Sequence, residues 1–380
     1  MSILLITIDY PPIEGGISTL ARQLAEDLAR TGEEIVVVAP RVGNESFQSG
    51  PGPIRIHRFP FYRAGYLRFF PMSILCARLV LRHGIRKIVA MNVGYGGVFS
   101  FLFSKMRPVE YVLFAYGFEF LKFRRSFLVS RIYRDIYRGA EKILAVSRHT
   151  AQALAAFGVE SKRIEVSYPE IDAAAWEKPR NVDSVARKYG VEGKRLILSA
   201  SRLIRRKGHR LLLESLPPVF RTVPESICLI AGRGPERPDL IAQAEHLGLK
   251  EKILFPGFVP EDDLKALFHL ASLFVLTPAA IGATGDEEGF GIVFLEAAAC
   301  GLPAVAGRTG GVPEAVVENE TGLLVSPESR AEVTEAILRL LQDRKLAFTL
   351  SEKARKRVSL DFRRGRMAAG ILDIFRAGRA

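Results

Sequence analysis

Two carboxylates, Glu288 and Glu296, stand with seven residues between them in the segment Asp286 to Val316, D-E-E-G-F-G-I-V-F-L-E-A-A-A-C-G-L-P-A-V-A-G-R-T-G-G-V-P-E-A-V. The Gly-Phe-Gly turn at Gly289 to Gly291 leads into a short apolar helix that Gly301 stops and Pro303 follows. A helix start offers unpaired backbone N–H groups and the positive end of the helix dipole, which attract an anion such as a diphosphate. Gly289 and Gly291 let the backbone come close to that anion. Glu296, about one turn into the helix, can accept two hydrogen bonds from the adjacent hydroxyls of a ribose. Glu288, on the preceding loop, faces the other end of the ligand. Either glutamate alone reads equally well as a solvated side chain or a complement to the helix dipole. In order with the Cys300-Gly301-Leu302-Pro303 stop and Gly310-Gly311-Val312-Pro313, the pair suits a sugar nucleotide.

A second set of groups lies upstream. After a strand ending near Ala200 comes Ser201-Arg202-Leu203-Ile204-Arg205-Arg206-Lys207-Gly208, fixed positive charge at a strand's carboxyl end, where open parallel sheets bind ligands. Arg202 and Lys207 can stabilise the charge that grows on a diphosphate leaving group as a glycosidic bond breaks; the plain alternative is a basic surface loop. In Ala231-Gly232-Arg233-Gly234-Pro235-Glu236, Gly232 and Gly234 permit close approach by a base or phosphate, although glycines at such turns are usually structural. Near the N-terminus, Pro11-Pro12-Ile13-Glu14-Gly15-Gly16-Ile17 joins a strand to a helix, so that Gly15 and Gly16 again offer backbone N–H groups at a helix start. This loop is not the G-x-G-x-x-G fingerprint, and no acidic residue follows the second strand to hold a ribose, which argues against a nicotinamide dehydrogenase. No Asp-x-Asp pair offers ligands for a divalent metal, so no metal and no cofactor is expected.

These groups need a scaffold that ends strands side by side. Short β-branched runs, Ile3–Ile8, Ile35–Ala39, Lys87–Met91, Tyr111–Phe114 and Lys142–Val146, alternate with helical patterns. The first such pattern carries Leu20, Leu24 and Leu28 and ends near Gly32. A second series, Leu196–Ala200, Ile227–Ala231, Ile253–Phe255, Leu273–Leu276 and Ala304–Ala306, follows a break between Tyr168 and Asn181. Alternation of this kind predicts an α/β chain of two doubly wound, Rossmann-like parallel-sheet domains with a ligand cleft between them. The expected division is an N-terminal domain over residues 1–172, a second domain over 173–360, and a basic C-terminal helix over 361–380. Phe362, Met367, Ile371, Ile374 and Phe375 form that helix's apolar face, which would pack back on the first domain or fray.

The 380 residues suit two cores. Cys76, Cys228 and Cys300 lie far apart without metal-ligand spacing, which points to a reducing, cytoplasmic setting. The start is too short and lacks the basic flank of a signal peptide, and no run is apolar for long enough to span a bilayer. The formal net charge is +13. No acidic residue occurs between Glu45 and Glu110, where Arg55, Arg58, Arg63, Arg68, Arg78, Arg82, Arg86, Lys87, Lys105 and Arg107 alternate with Phe59, Phe61, Tyr62, Tyr66, Phe69 and Phe70. A second basic and aromatic cluster runs from Phe120 to Arg125, followed by Arg131, Arg134 and Arg138. Such a surface fits an anionic membrane face or a lipid-linked acceptor, or is simply solvated. No nucleic-acid motif accompanies it, and nucleic acid is not expected as a partner.

At these residues the chain resembles the family 4 retaining glycosyltransferases of the two-domain GT-B fold. The resemblance covers nearly the whole length: the Pro-Pro-x-x-Gly-Gly loop, Ser147-Arg148, the Arg202 to Gly208 loop, Gly232 to Pro235, Phe255-Pro256-Gly257 and the glutamate pair. Within that family the chain is similar to phosphatidyl-myo-inositol mannosyltransferases and related membrane-associated enzymes. The resemblance implies a UDP- or GDP-sugar as co-substrate and a lipid-linked or glycan acceptor. It gives Arg202 and Lys207 the donor diphosphate, and Glu296 the ribose. Glu288, with the backbone of Phe290, Gly291 and Ile292, takes the transferred sugar and nearer phosphate, and Gly16 closes on the diphosphate from the other domain. It further implies front-face attack with retention, the leaving phosphate assisting deprotonation of the acceptor, and no protein nucleophile. Where many relatives carry a histidine before glycine, this chain has Ala115-Tyr116-Gly117-Phe118-Glu119, so Tyr116 and Glu119 become candidates for positioning sugar or acceptor. Before the linker, Pro169-Glu170-Ile171-Asp172 stands in place of the usual Asn-Gly-Val-Asp. A sugar-nucleotide epimerase, a phosphorylase of similar fold, and a non-catalytic sugar-nucleotide or glycan-binding protein are the alternatives.

Overall fold

The computed structural model describes residues 2–13, 15–42, 47–49, 52–60, 65–117, 126–282 and 286–377. The chain divides into two compact units. One holds Met1–Glu170 with Arg364–Ala380, and the other holds Ile171–Arg363.

The first unit is built on a sheet of β1 (Ser2–Ile6), β2 (Glu34–Pro40), β3 (Phe47–Ser49), β4 (Ile54–Phe59), β5 (Lys87–Ala90), β6 (Glu110–Ala115), β7 (Lys142–Ala145) and β8 (Ile164–Val166). Their order is β3-β4-β2-β1-β5-β6-β7-β8, parallel throughout except for the antiparallel edge pair β3 and β4. The central strands are buried on both faces, as helices on either side require. β1 leaves the sheet at Thr7, earlier than the apolar run to Ile8 suggests. The Thr7 hydroxyl donates to the Asp9 carbonyl and accepts from the Asp9 N–H, turning the chain.

The segment from Ile54 to Phe59 contains a strand that its arginines disguise. Ile54, Ile56 and Phe59 are buried while Arg55 is exposed and pairs with Glu34 at 3.0 Å. Arg58 is buried and donates to the carbonyls of Pro11 and Pro40, its guanidinium 5.5 Å from the Tyr10 ring. Lys87 is buried too, paired with Glu110. Arg58 and Lys87 are therefore internal struts rather than members of a solvated basic surface. Phe61, Tyr62, Arg63 and the cluster Phe120 to Arg125 lie outside the described residues.

The second unit has β9 (Arg195–Ala200), β10 (Ser226–Ala231), β11 (Ile253–Gly257), β12 (Ala271–Leu276), β13 (Ala304–Gly307) and β14 (Gly322–Val325), ordered β11-β10-β9-β12-β13-β14 and all parallel. Strand order reverses between β9 and β12, and at such a switch point loops leave in opposite directions and open a crevice. β9 and β10 end level, Ala200 opposite Ala231.

The C-terminal region holds two helices, Arg344–Asp361 and Arg366–Ala377. Within the expected span 361–380 the helix begins at Arg366, after Gly365, whose φ is near +98°. Phe362 belongs to the second unit, its ring edge-on to Phe290 at 5.6 Å and capped by Arg357. The last helix buries Met367, Ala368, Ile371, Leu372 and Phe375 in the first unit, with Leu372 rather than Ile374 completing the face. Its N-terminus is capped by Glu170, whose carboxylate accepts from the N–H groups of Gly365 (2.8 Å) and Met367 (2.6 Å).

Candidate active site

A buried charged centre in the second unit grows from the end of β9. A short turn over Arg205–Lys207 aims Arg206 and Lys207 inward and leaves Arg202 and Arg205 exposed. Gly208 ends the turn with φ near +74°, and a Cβ there would lie 1.8 Å from the Thr277 carbonyl oxygen. Only glycine fits both the backbone conformation and the contact. The Thr277 hydroxyl donates to the Gly208 carbonyl at 3.1 Å, and the Ala279 N–H donates to that of Arg206 at 2.9 Å. The loop after β9 is thereby fastened to the end of β12, across the switch point.

Two cations converge on one carboxylate oxygen. Lys207 Nζ and Arg206 Nη1 both lie 2.6 Å from Glu288 Oε2. Arg206 Nη1 also donates to the Glu287 carbonyl at 3.4 Å, and its Nε is 3.3 Å from Asp286 Oδ1. All three members of the triad are buried. Burial raises the proton affinity of the Glu288 carboxyl, but Lys207 and Arg206 together hold it below the usual carboxylate range. Burial also lowers Lys207, against the pull of Glu288. With Asp286 on the other edge of Arg206, two cations face two carboxylates, the pairing that buried ions require.

Glycines fix where Glu288 can stand. The Gly311 N–H donates to the Glu288 carbonyl at 2.9 Å, and a Cβ on Gly310 would meet that oxygen at 2.1 Å. Gly291 caps the helix Ile292–Ala299 with φ near +91°, and a Cβ there would lie 2.7 Å from the Phe294 ring. Phe290 is buried, whereas Ile292 is half-buried at the first position of the helix. Gly232 and Gly234 make close approaches of a different kind: their Cβ atoms would lie 1.9 Å from the Ser201 carbonyl and 2.1 Å from that of Leu203. These two glycines admit the neighbouring loop, so their packing alone accounts for them.

Glu296 sits apart from the triad's bonds. It is half-buried on the helix Ile292–Ala299, and among the described residues none donates a hydrogen bond to its carboxylate. Burial, and then the charge of Glu261, push its pKa up to about 7, with Lys265 opposing.

In the first unit, Gly15 takes φ near +136° before the helix Gly16–Arg30, which has no acidic residue in its first turn. The preceding loop is the one that Arg58 holds through Pro11. Tyr116 follows β6, buried, its ring stacked on Phe114 with centroids 6.3 Å apart. Glu119 lies outside the described residues. The helix Phe69–His83 buries Met72, Cys76, Leu79 and Val80 and exposes Phe70, Ile74 and Leu81 beside Arg78 and Arg82. The helix Phe127–Gly139 likewise exposes Phe127, Leu128 and Ile132 beside Arg131 and Arg138. Among the described residues no helix is long and apolar enough to cross a membrane. None of their His, Cys, Asp or Glu side chains gather in threes to hold a metal ion.

Two site features escaped the sequence reading. Arg206, not Arg202, pairs with Glu288, and His209 lies buried beneath the loop. The run Arg205-Arg206-Lys207 signals cations, but which of them turns inward is decided by the turn it forms.

This architecture is the GT-B fold. Sucrose-phosphate synthase from Thermosynechococcus elongatus superposes with a TM-score of 0.86 at 19% identity, covering 100% of this chain and 99% of the other. Anabaena HepE in complex with UDP and glucose superposes at 0.81 and 22%, covering 99% and 100%. Residues 182–357 match the family described as Glycosyl transferases group 1, and residues 14–175 match Glycosyltransferase Family 4. GDP-mannose-dependent alpha-(1-6)-phosphatidylinositol monomannoside mannosyltransferase of Mycobacterium tuberculosis is 30% identical over 386 residues, 98% of each chain. Its namesake in Mycolicibacterium smegmatis is 30% identical over 363 residues, 93% of this chain and 92% of that one. The chain belongs to this group 1 and family 4 glycosyltransferase family, and it is a glycosyltransferase.

Proposed function

We propose that the protein moves a hexose, with retention and without a metal ion, from a nucleoside-diphosphate sugar to a hydroxyl of a lipid-linked or cell-surface glycan. The observation that carries this reading is the buried Arg206–Lys207–Glu288 triad at the β9–β12 switch point. Lys207, with the exposed Arg202 beside it, stabilises the charge that grows on the leaving phosphate. Glu288 and the backbone of Phe290, Gly291 and Ile292 take the transferred sugar and nearer phosphate. Glu296, to which none of the described residues donates a hydrogen bond, takes the ribose hydroxyls. No protein nucleophile is required, because the leaving phosphate assists deprotonation of the acceptor on the same face.

The 30% identical relatives are named for GDP-mannose and a phosphatidylinositol monomannoside, which favours GDP-mannose among GDP- and UDP-sugars and an inositol-lipid acceptor. The exposed Phe70, Ile74 and Leu81 with Arg78 and Arg82, and Phe127, Leu128 and Ile132 with Arg131 and Arg138, support a peripheral place on the inner, anionic face of the membrane, reached from the cytoplasm. The test is a screen of UDP-, GDP- and ADP-sugars with inositol-lipid and glycan acceptors, then assignment of the product's anomeric configuration by NMR. An inverted product, or donor conversion that needs no acceptor, refutes the reading.

A further inference from the structure

Ser201 and His209 close the base of the Arg202–Gly208 loop. Ser201 leaves β9, and His209 opens the helix His209–Thr222. Ser201 Oγ lies 2.9 Å from His209 Nε2, and on the other edge of the ring Nδ1 lies 3.4 Å from Ser199 Oγ. Ser199 and Ser201 are two positions apart, the spacing that puts both side chains on one face of an extended chain. The Ser201 hydroxyl also donates to the Arg202 carbonyl at 3.2 Å.

Each hydroxyl carries one proton, and so does a neutral imidazole. Three contacts and three protons then have a single solution. Ser201 gives its proton to the Arg202 carbonyl, His209 Nε2–H donates to Ser201 Oγ, and the Ser199 hydroxyl donates to Nδ1. Burial, helped by the neighbouring Lys207, keeps the ring neutral, its pKa pushed down to about 3. Ser201 is held on its other side as well, its N–H donating to Ala231 at 3.1 Å and its carbonyl pressed against Gly232. The two ends of the loop thus meet through one imidazole.

We propose that His209 is a positioning residue: its Nε2–H sets Ser201, and so Arg202, at a fixed place relative to Lys207, and the two cations stand ready for a diphosphate before it arrives. The contact with Ser199 orients the ring and nothing more. The inference rests on the reading of Arg202–Gly208 as the diphosphate-binding loop.

Side-chain length separates the two edges of the ring, because an asparagine amide reaches the place of Nδ1 and a glutamine amide that of Nε2. UDP and GDP are titrated calorimetrically into the wild-type chain and into His209→Gln, His209→Asn, Ser201→Ala and Lys207→Ala. His209→Gln is expected to bind the better diphosphate within about threefold of wild type, and His209→Asn and Ser201→Ala about tenfold more weakly, the worth of one hydrogen bond. A histidine that merely fills space would make Asn and Gln behave alike. Equal affinities in those two variants, or wild-type affinity in Ser201→Ala, overturn the proposal. If Lys207→Ala binds both diphosphates as wild type does, the diphosphate reading of the loop fails instead.

Discussion

Lys207 and Glu288, 81 positions apart in sequence, meet at 2.6 Å inside the second unit, and Arg206 shares the same carboxylate oxygen. The pairing ties the loop after β9 to the glycine-rich approach of the helix Ile292–Ala299, so the cation proposed for the leaving phosphate and the carboxylate proposed for the sugar are set by one contact.

Arg206→Met removes one of the two cations on Glu288 while keeping most of the side chain's bulk. Breaking a buried pair by deleting one partner costs about 3 kcal/mol, and the expected fall in turnover is about tenfold. Urea denaturation and initial rates with saturating donor measure the two. The variant's Glu288 carboxyl also loses a cation that holds its pKa down, so the acid limb of its pH–rate profile is expected at higher pH than in the wild type.

Glu296 offers a test in which stability and function move in opposite directions. Its folded pKa of about 7 lies above the ordinary glutamate value, so the folded state binds the proton more tightly than the unfolded one. That contribution is fully present at pH below the unfolded value and is lost as pH rises toward 7. Glu296→Gln is therefore expected to be more stable than wild type at pH 8, by on the order of 1–2 kcal/mol, and equal to it at pH 4. The same substitution weakens donor binding about tenfold if the carboxylate holds two ribose hydroxyls. Denaturation at the two pH values and the donor KM at pH 8 check both halves.

The glutamate pair was legible because its spacing is local, whereas the rest of the site depends on long-range geometry. Sequence points to Gly232 and Gly234 as ligand contacts but not to their packing: β9 and β10 end level, and the two glycines lie against the Ser201 and Leu203 carbonyls. Gly310 follows the same logic, since its partner is the Glu288 carbonyl. In the fold, alternation revealed the central strands but not Phe47–Ser49, Ile54–Phe59, Ile164–Val166 or Gly322–Val325; in Ile54–Phe59, Arg55 and Arg58 read as a charged surface. Nothing local in Arg58 marks it as buried; its carbonyl partners at Pro11 and Pro40 come from other segments.

Gly310→Ala tests how rigidly that frame is built. With φ near +53° and only 2.1 Å between the new Cβ and the Glu288 carbonyl, the segment cannot keep its place. A loss of about 2 kcal/mol or more is expected from the clash and backbone strain together, read as a lower urea midpoint, along with weaker donor binding.

The exposed apolar and basic side chains of the helix Phe69–His83 predict salt-sensitive attachment to anionic lipid. Flotation with phosphatidylglycerol and phosphatidylcholine liposomes at two salt concentrations should show binding to the former alone, falling as salt rises. A variant carrying Phe70→Ser, Ile74→Ser and Leu81→Ser should lose it while keeping its melting temperature, because all three side chains are exposed.

The most direct measurement compares wild type with Lys207→Ala for sugar transfer from GDP-mannose and from UDP-glucose, with the product's anomeric configuration assigned. The account predicts transfer with retention by the wild type, and a fall in kcat of about 100-fold or more in Lys207→Ala, the scale of removing one charge aimed at a leaving group. Near-normal turnover in Lys207→Ala would contradict it.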